Sequence, residues 1–181
     1  MKIHNTTVEV VNGSVIEQDV EAIVNAANTA MRGGSGVDGA IHRAAGRQLM
    51  NELIRVAPHG AKTGTAVITP GFALKQDYVI HTPGPVWNGG GNGEPENLAS
   101  SYRSCLELAD KKGVKSIAFC SIATGVYHYP LGQAAPLALD TVAEYLNEHL
   151  DTGLTRVVFA MFQDAEYAAF RAALTQAEND A

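Results

Sequence analysis

Four polar side chains near the first buried segment of the chain are of types that could do chemistry in a cleft. Asp38 and His42 are four residues apart in a predicted helix, so their side chains share one face. Asn25 and Asn28 follow the apolar run at residues 22–24. A carboxylate within hydrogen-bond reach of a water can act as a general base without a metal ion.

Each of these residues also has a structural interpretation that the sequence leaves open. Asp38 lies in the first helical turn, where a carboxylate complements the helix dipole. His42 can make a structural hydrogen bond. The side chains of Asn25 and Asn28 can bond the backbone of a turn, a common role for asparagine after a strand.

A glycine-rich loop separates the asparagines from this helix. Gly33, Gly34 and Gly36 precede a helix that we expect to begin at about Val37. Backbone N–H groups of glycines can point inward at an anion, and a helix N-terminus adds its positive dipole end. The loop therefore predicts a phosphate site.

The string from Gly34 to Gly39 also matches the G-x-G-x-x-G pattern of dinucleotide-binding folds. In those folds the first glycine follows its strand within a tight turn, whereas here an eight-residue polar loop intervenes. The acidic strand end expected about 20 residues later is absent, because residues 52–57 have a helical pattern. We therefore reject the dinucleotide fold.

A second loop of the same kind follows the apolar strand at residues 116–121. Its residues are Ala123, Thr124, Gly125, Val126 and Tyr127, and a helix follows. Two such loops at the carboxyl ends of parallel strands would face each other across a crevice and hold a diphosphate between them. Tyr127 would offer its ring to an adjoining sugar, or would pack beneath the loop as Tyr129 is expected to do.

Alternating strands and helices predict an α/β fold, a three-layer α/β/α sandwich with a mixed, mostly parallel central sheet. The predicted strands are residues 7–11, 22–25, 65–69, 78–82, 116–121 and 156–162. The predicted helices are residues 37–45, 47–57, 97–112, 133–148 and 165–177.

We expect one domain over residues 1–181. The turn-forming residues at 87–95 predict a flexible surface loop. A domain boundary there would leave two halves that share one alternating pattern, neither of which closes a plausible sheet alone.

Composition excludes several classes of protein. With 46% hydrophobic and 18% charged residues and no apolar run near ~18 residues, the chain predicts a globular protein without a membrane span. The polar start at residues 1–7 predicts no signal peptide, so we expect a cytoplasmic location. A net charge of −6 argues against nucleic-acid binding.

The cysteines and histidines show no metal-binding spacing. Cys105 and Cys120 are predicted to be buried thiols, and the 6 histidines form no paired motif. We expect neither a metal nor a cofactor, so an anionic ligand would be held mainly by backbone N–H groups.

Four ordered motifs resemble the macrodomain family, specifically its MacroD-type hydrolases. They are AIVNAAN at 22–28, GGSGVDGAIH at 33–42, VIHTPGPVW at 79–87 and ATGVYHYP at 123–130. The resemblance covers nearly the whole chain. It implies a cleft for ADP-ribose, removal of ADP-ribose from acidic side chains of modified proteins, and deacetylation of O-acetyl-ADP-ribose. ADP-ribose and ADP-ribosylated proteins are the implied partners, and we expect a monomer.

The resemblance implies a role for each matching residue. Asn28 would hold the distal-ribose hydroxyls, Asp38 would orient or activate the attacking water, and His42 would support both. Phe162 would cover the adenine and Tyr127 would lie against the distal ribose. The implied ligand contacts are Ser14, Val15, Asn25, Gly33, Gly34, Gly36, Val37, Ala123, Thr124, Gly125, Val126, Tyr127 and Phe162.

This sequence departs from the family pattern at four of these sites or their neighbours. Ser14 stands where the family usually has an aspartate that binds the adenine amino group, and His128 stands where it usually has glycine. Ala123 replaces a serine and Ser35 a glycine, but both are small. These changes bear on adenine selectivity and on the distal-ribose end.

Two other functions remain open at this point. A non-catalytic ADP-ribose reader would use the same cleft, and a regulator could act through contacts with another protein. The presence of both Asn28 and Asp38 favours the hydrolase.

Overall fold

A central sheet of seven strands organises residues 1–181, all of which the computed structural model describes. The strands are β1 (Lys2–Ile3), β2 (Thr6–Asn12), β3 (Ala22–Ala27), β4 (Val67–Pro70), β5 (Tyr78–Pro83), β6 (Ser116–Phe119) and β7 (Arg156–Met161). The helices are α1 (Gly36–Ala45), α2 (Arg47–Val56), α3 (Glu94–Lys111), α4 (Leu131–Glu148) and α5 (Asp164–Asp180). A short 3₁₀ helix spans Val15–Glu17.

The strand order is β1-β2-β7-β6-β3-β5-β4. Every pair from β2 to β5 is parallel, and the two edge strands β1 and β4 pair antiparallel with their neighbours. The predicted mixed, mostly parallel sheet is therefore confirmed.

Alternate residues of the strands face two separate apolar clusters, which gives the predicted three layers. Ile23 and Val79 pack with Leu49 of α2 and other side chains of α1 and α2 on one face. Val24 and Ile80 point the other way, into a cluster shared with α3, α4 and α5. Runs such as residues 22–24 are apolar throughout because both faces of these strands are covered.

The helix and strand boundaries differ from the predicted ones by a few residues in several places. β1 and the 3₁₀ helix were not predicted, because two or three residues carry no periodic signal. The strand predicted to begin at Thr65 begins at Val67, since the Thr65 hydroxyl closes a turn onto the carbonyl of Lys62 at 2.6 Å. Phe162 lies one residue beyond β7 and not inside it.

None of the helices combines the length and apolar character needed to cross a bilayer. Both cysteines are buried and unpaired, as predicted.

The glycine-rich loop that precedes α3 is organised around one carboxylate. Glu94 begins α3, three residues earlier than predicted, and its side chain accepts hydrogen bonds from the backbone N–H groups of Asn88, Gly90 and Asn92 at 2.7–3.0 Å. Desolvation acts to raise the pKa of Glu94, but these donors outweigh it and lower the pKa from 4.5 to about 2. The expected flexible loop is thus closed by specific hydrogen bonds.

Replacing Glu94 by glutamine should destabilise the protein in a pH-dependent way. A carboxyl whose pKa is lower in the folded state contributes stability above its unfolded pKa and loses it as pH falls. The Tm deficit of Glu94→Gln should be full above about pH 4.5 and should shrink toward pH 2. Glu96→Gln, in the same helical turn but exposed, is the control. Equal deficits for the two variants would contradict this role.

Candidate functional site

The carboxyl ends of the parallel strands surround one cleft of about 850 Å³. The first wall comes from the loop after β3 and from the first turns of α1. The opposite wall comes from the loops after β6 and β7, and the segment after β2 completes one end. Because parallel strands direct their carboxyl ends to one edge, these distant segments meet there.

Most of the predicted site residues line this cleft. Those that do are Ser14, Val15, Asn28, Gly34, Gly36, Val37, Asp38, Ala123, Gly125, Val126, Tyr127 and Phe162.

Four of the predicted residues, Asn25, Gly33, His42 and Thr124, do not line the cleft. Asn25 is fully buried and donates a hydrogen bond to Asp38. The carbonyl of Gly33 accepts a hydrogen bond from Asn28 at 2.9 Å. The hydroxyl of Thr124 pairs with that of Ser121 at 2.5 Å.

His42 lies beside Asp38 on α1, as the four-residue spacing predicted. Its Nε2 is 3.4 Å from Asp38 Oδ1 and makes no hydrogen bond there or with any other group of the protein. His42 therefore lies close to the carboxylate without a hydrogen bond to it.

Asp38 combines burial with access to the cleft. Its exposed fraction is only 5%, and its Oδ1 accepts a hydrogen bond of 2.9 Å from Asn25 Nδ2. Burial raises the pKa of Asp38 above 3.8, while the hydrogen bond from Asn25 and the nearby His42 oppose that rise.

The absence of a side chain at Gly34 keeps the space beside Asp38 open. A Cβ at Gly34 would lie 3.1 Å from Asp38 Oδ2 and 3.6 Å from Asn28 Nδ2. The second carboxylate oxygen and the asparagine amide therefore approach one point, where a small molecule such as water could contact both.

Asn28 also shapes the loop that carries it, as the alternative interpretation predicted. Its Oδ1 accepts from the backbone N–H of Met31 at 3.1 Å, and its Nδ2 donates to Gly33. Met31 has a φ of 57°, in the left-handed region. One amide hydrogen of Asn28 remains, since an amide nitrogen has two.

The second loop is a tight turn in which Val126 is exposed. Ala123 has a φ of 69°, an uncommon conformation for a residue with a side chain. Its carbonyl accepts from the N–H of Tyr129, whose ring is buried and lies 4.7 Å from that of Trp87. Tyr129 therefore packs beneath the loop, whereas the partly buried Tyr127 also lines the cleft.

Two apolar side chains remain uncovered at the cleft. Val126 and Phe162 are each 74% exposed, although they lie on different loops. An exposed aromatic side chain beside a cleft is typical of a surface that covers a ligand.

Several cleft residues were missed from the sequence. Arg43 projects from α1, and Gln163 and Glu166 lie at the start of α5. Gly84 follows β5, and a Cβ there would be 2.7 Å from Ile122 Cγ2. Its position in the motif at 79–87 was the available signal, because close packing of two loops requires glycine.

No group of three or more histidine, cysteine, aspartate or glutamate side chains lies close enough together to hold a metal ion.

The model of the Macro domain family matches residues 24–138. The chain belongs to the Macro domain family. It is 48% identical over 172 residues to a macro domain-containing protein of Lactiplantibacillus plantarum, covering 95% of this chain and 98% of the relative. It is also 46% identical over 174 residues to an O-acetyl-ADP-ribose deacetylase of Salmonella gallinarum, covering 95% and 96%.

Solved structures of macrodomains share the whole fold. The Oceanobacillus iheyensis macrodomain with ADP has a TM-score of 0.93 and 38% identity, covering 100% of this chain and 96% of that one. The Trypanosoma brucei macrodomain in complex with ADP-ribose has a TM-score of 0.85 and 42% identity, covering 92% and 68%. The membership inferred from the four motifs is therefore confirmed.

The buried carboxylate should make this macrodomain less stable as pH rises. A carboxyl with a raised folded-state pKa binds its proton more tightly when folded, so stability is lost between the unfolded pKa near 3.8 and the higher folded value. At pH 7 the Tm of Asp38→Asn should equal or exceed that of the unmodified protein, and this difference should shrink below pH 4. Asp140→Asn, at an exposed site, should show no such trend. A deficit of Asp38→Asn that grows with pH would contradict the prediction.

Proposed function

We propose that this macrodomain binds ADP-ribose in the cleft and hydrolyses ester-type bonds at its distal ribose. The two reactions are removal of mono-ADP-ribose from acidic side chains and deacetylation of O-acetyl-ADP-ribose. The convergence of Asp38 Oδ2 and Asn28 Nδ2 beside Gly34 is the observation that carries this proposal. The similar proteins named as deacetylases and the related structures with ADP or ADP-ribose support it.

The diphosphate would lie between the two glycine loops. The first N–H groups of α1 have no intrahelical acceptor and carry the positive end of the helix dipole. Gly36 at the start of this helix has a φ of 60°, and no atom lies within 4 Å of the position that a Cβ would take. The anion can therefore approach the backbone closely, which matters in a protein of net charge −6.

The adenine would occupy the end formed by Ser14 and Phe162. The exposed ring of Phe162 would stack on the base and lose its contact with water. Ser14 Oγ accepts from the backbone N–H of Ile16 at 3.4 Å, a long hydrogen bond that leaves the hydroxyl able to turn toward a ligand.

Asp38 would act as the general base at the distal ribose. Its Oδ2 would remove a proton from water while Asn28 holds a ribose hydroxyl, and the same proton would be returned to the departing oxygen. The raised pKa of Asp38 favours this role, because a base works best with a pKa near the operating pH. The substrate's own diphosphate can share the role.

Removing the carboxylate should lower the rate of hydrolysis much more than the affinity for ADP-ribose. Asp38→Ala should lower hydrolysis by roughly 10²–10⁴-fold, as expected for a general base, while ADP-ribose affinity stays within about tenfold. Release of ADP-ribose from a glutamate-modified protein and of acetate from O-acetyl-ADP-ribose measure the first effect, and calorimetry measures the second. Undiminished turnover would refute the assignment. ADP-ribose binding without hydrolysis by the unmodified protein would identify a reader instead.

A side chain at Gly125 should damage binding more than loss of Asp38 does. No atom lies within 4 Å of the position of a Cβ at Gly125, and its φ lies outside the left-handed region, so Gly125→Val should fold normally. The branched side chain would then obstruct approach of the diphosphate to the loop backbone. Calorimetry should show a weaker affinity than for Asp38→Ala. Gly132→Val, at another open glycine outside the cleft, is the control. Unchanged affinity of Gly125→Val would show that this loop does not hold phosphate.

A further inference from the structure

A row of buried polar side chains continues behind Asp38, away from the cleft. Asn25 on β3, His81 on β5 and Thr69 on β4 are each at least 98% buried, and none of them lines the cleft. Asn25 Nδ2 is 2.9 Å from Asp38 Oδ1 and 3.1 Å from His81 Nδ1. His81 Nε2 is 3.0 Å from Thr69 Oγ1.

The hydrogen bonds of this row run in one direction. The Thr69 hydroxyl donates to the carbonyl of Pro70 at 3.1 Å, so its oxygen accepts from His81 Nε2–H. A neutral imidazole has one donor and one acceptor nitrogen, which leaves Nδ1 to accept from Asn25. Asn25 then donates one amide hydrogen to His81 and the other to the carboxylate of Asp38.

Burial keeps His81 in the neutral form that this direction requires. Desolvation, with a smaller contribution from His42, lowers the pKa of His81 to about 3. The imidazole therefore retains one donor and one acceptor across the pH range in which Asp38 ionises.

The opposite orientation of the Asn25 amide would place its oxygen against the carboxylate. In the observed orientation Asn25 Oδ1 is buried and has no hydrogen-bond partner. An unsatisfied buried oxygen costs free energy, so the orientation must be held by what the two N–H groups contact. His81 supplies one of those acceptors and Asp38 the other.

We propose that His81 is a positioning residue for the hydrolysis, which fixes the amide of Asn25 and thereby holds the carboxylate of Asp38 with Oδ2 toward the cleft. Thr69 selects the tautomer of His81 that does so. This inference rests on the proposed function.

Two other titratable groups lie near this carboxylate and must stay constant in a test. His42 lies beside it on α1, and the buried thiol of Cys120 lies across the cleft at the end of β6. Burial raises the pKa of Cys120 to about 12, so the thiol stays neutral. A test that leaves both residues unchanged reports only on the hydrogen bonds among Asn25, His81 and Thr69.

Thr69→Val removes the hydroxyl without a large change in volume. His81 then loses the acceptor for Nε2–H and is free to protonate Nδ1 instead, which turns a donor toward Asn25. Loss of the Asn25 hydrogen bond should leave the Asp38 carboxylate free to turn away from the cleft, which should lower kcat at neutral pH by about tenfold, and should also raise the pKa of Asp38 further. The acid limb of the kcat profile should move to higher pH, and the ADP-ribose Kd should change less than about twofold.

Two variants control for loss of a buried hydroxyl. Thr69→Ser keeps the hydroxyl and should restore the kcat profile of the unmodified protein. Thr82→Val removes an equally buried hydroxyl that bonds the carbonyl of Thr65 at 2.7 Å, outside the row. It should lower Tm without moving the pH profile.

Two measurements on the full chain do not depend on activity. Long-range ¹H–¹⁵N NMR should show His81 as the neutral Nε2–H tautomer at pH 7. In Thr69→Val the population of the Nδ1–H tautomer should increase. ¹³C NMR of the Asp38 carboxyl should show a higher pKa in Thr69→Val than in Thr69→Ser or Thr82→Val.

The outcomes distinguish this inference from the proposed function. If the unmodified protein releases neither ADP-ribose nor acetate, the proposed function is wrong and His81 positions no catalytic group. If it hydrolyses both but Thr69→Val keeps the kcat profile and the Asp38 pKa, the positioning role is wrong. An Nδ1–H tautomer or an imidazolium at His81 in the unmodified protein at pH 7 would also overturn it.

Discussion

The hydrogen bond between Asn25 and Asp38 joins the middle of the sheet to the helix that borders the cleft. Asn25 is the fourth residue of β3, and its position is set by the parallel pairing of β3 with β5, in which Asn25 is in register with His81. Asp38 lies in the first turn of α1. The bond therefore fixes where α1 begins relative to the strand ends. The loop between them folds back tightly, since a Cβ at Gly39 would lie 2.8 Å from the carbonyl oxygen of Gly34.

Placing a carboxylate at this depth costs free energy, and the surrounding fold offsets it. Burying an ionised group is unfavourable unless hydrogen bonds replace its hydration, and Asp38 has only the one from Asn25. The pKa of Asp38 is raised because this hydrogen bond offsets only part of the free-energy cost of desolvating the carboxylate. Two apolar clusters, one of 30 and one of 14 buried residues, cover both faces of the sheet and stabilise the arrangement. The site is therefore locally unfavourable within a well-packed fold.

Periodicity and glycine chemistry predict most of this fold and both walls of the cleft, because buried strands and helix starts have local signatures. Interactions between distant segments leave no local signature in the sequence. His81 looks like one polar residue in an apolar strand until β4 brings Thr69 beside it. Glu94 looks like an ordinary first-turn acid, although it closes the preceding loop. Gln163 and Glu166 reach the cleft only because β7 lies between β2 and β6.

Under the proposed function, the start of α1 stabilises two negative charges. Its N-terminal dipole stabilises the Asp38 carboxylate and would also attract the diphosphate, so both anions share one favourable field. A bound diphosphate near Asp38 disfavours the ionised carboxylate, because like charges raise the pKa of an acid. Binding would thus increase the proton affinity of Asp38 when a water has to be deprotonated. The hydrogen bond from Asn25 acts in the opposite sense, because it favours the ionised carboxylate.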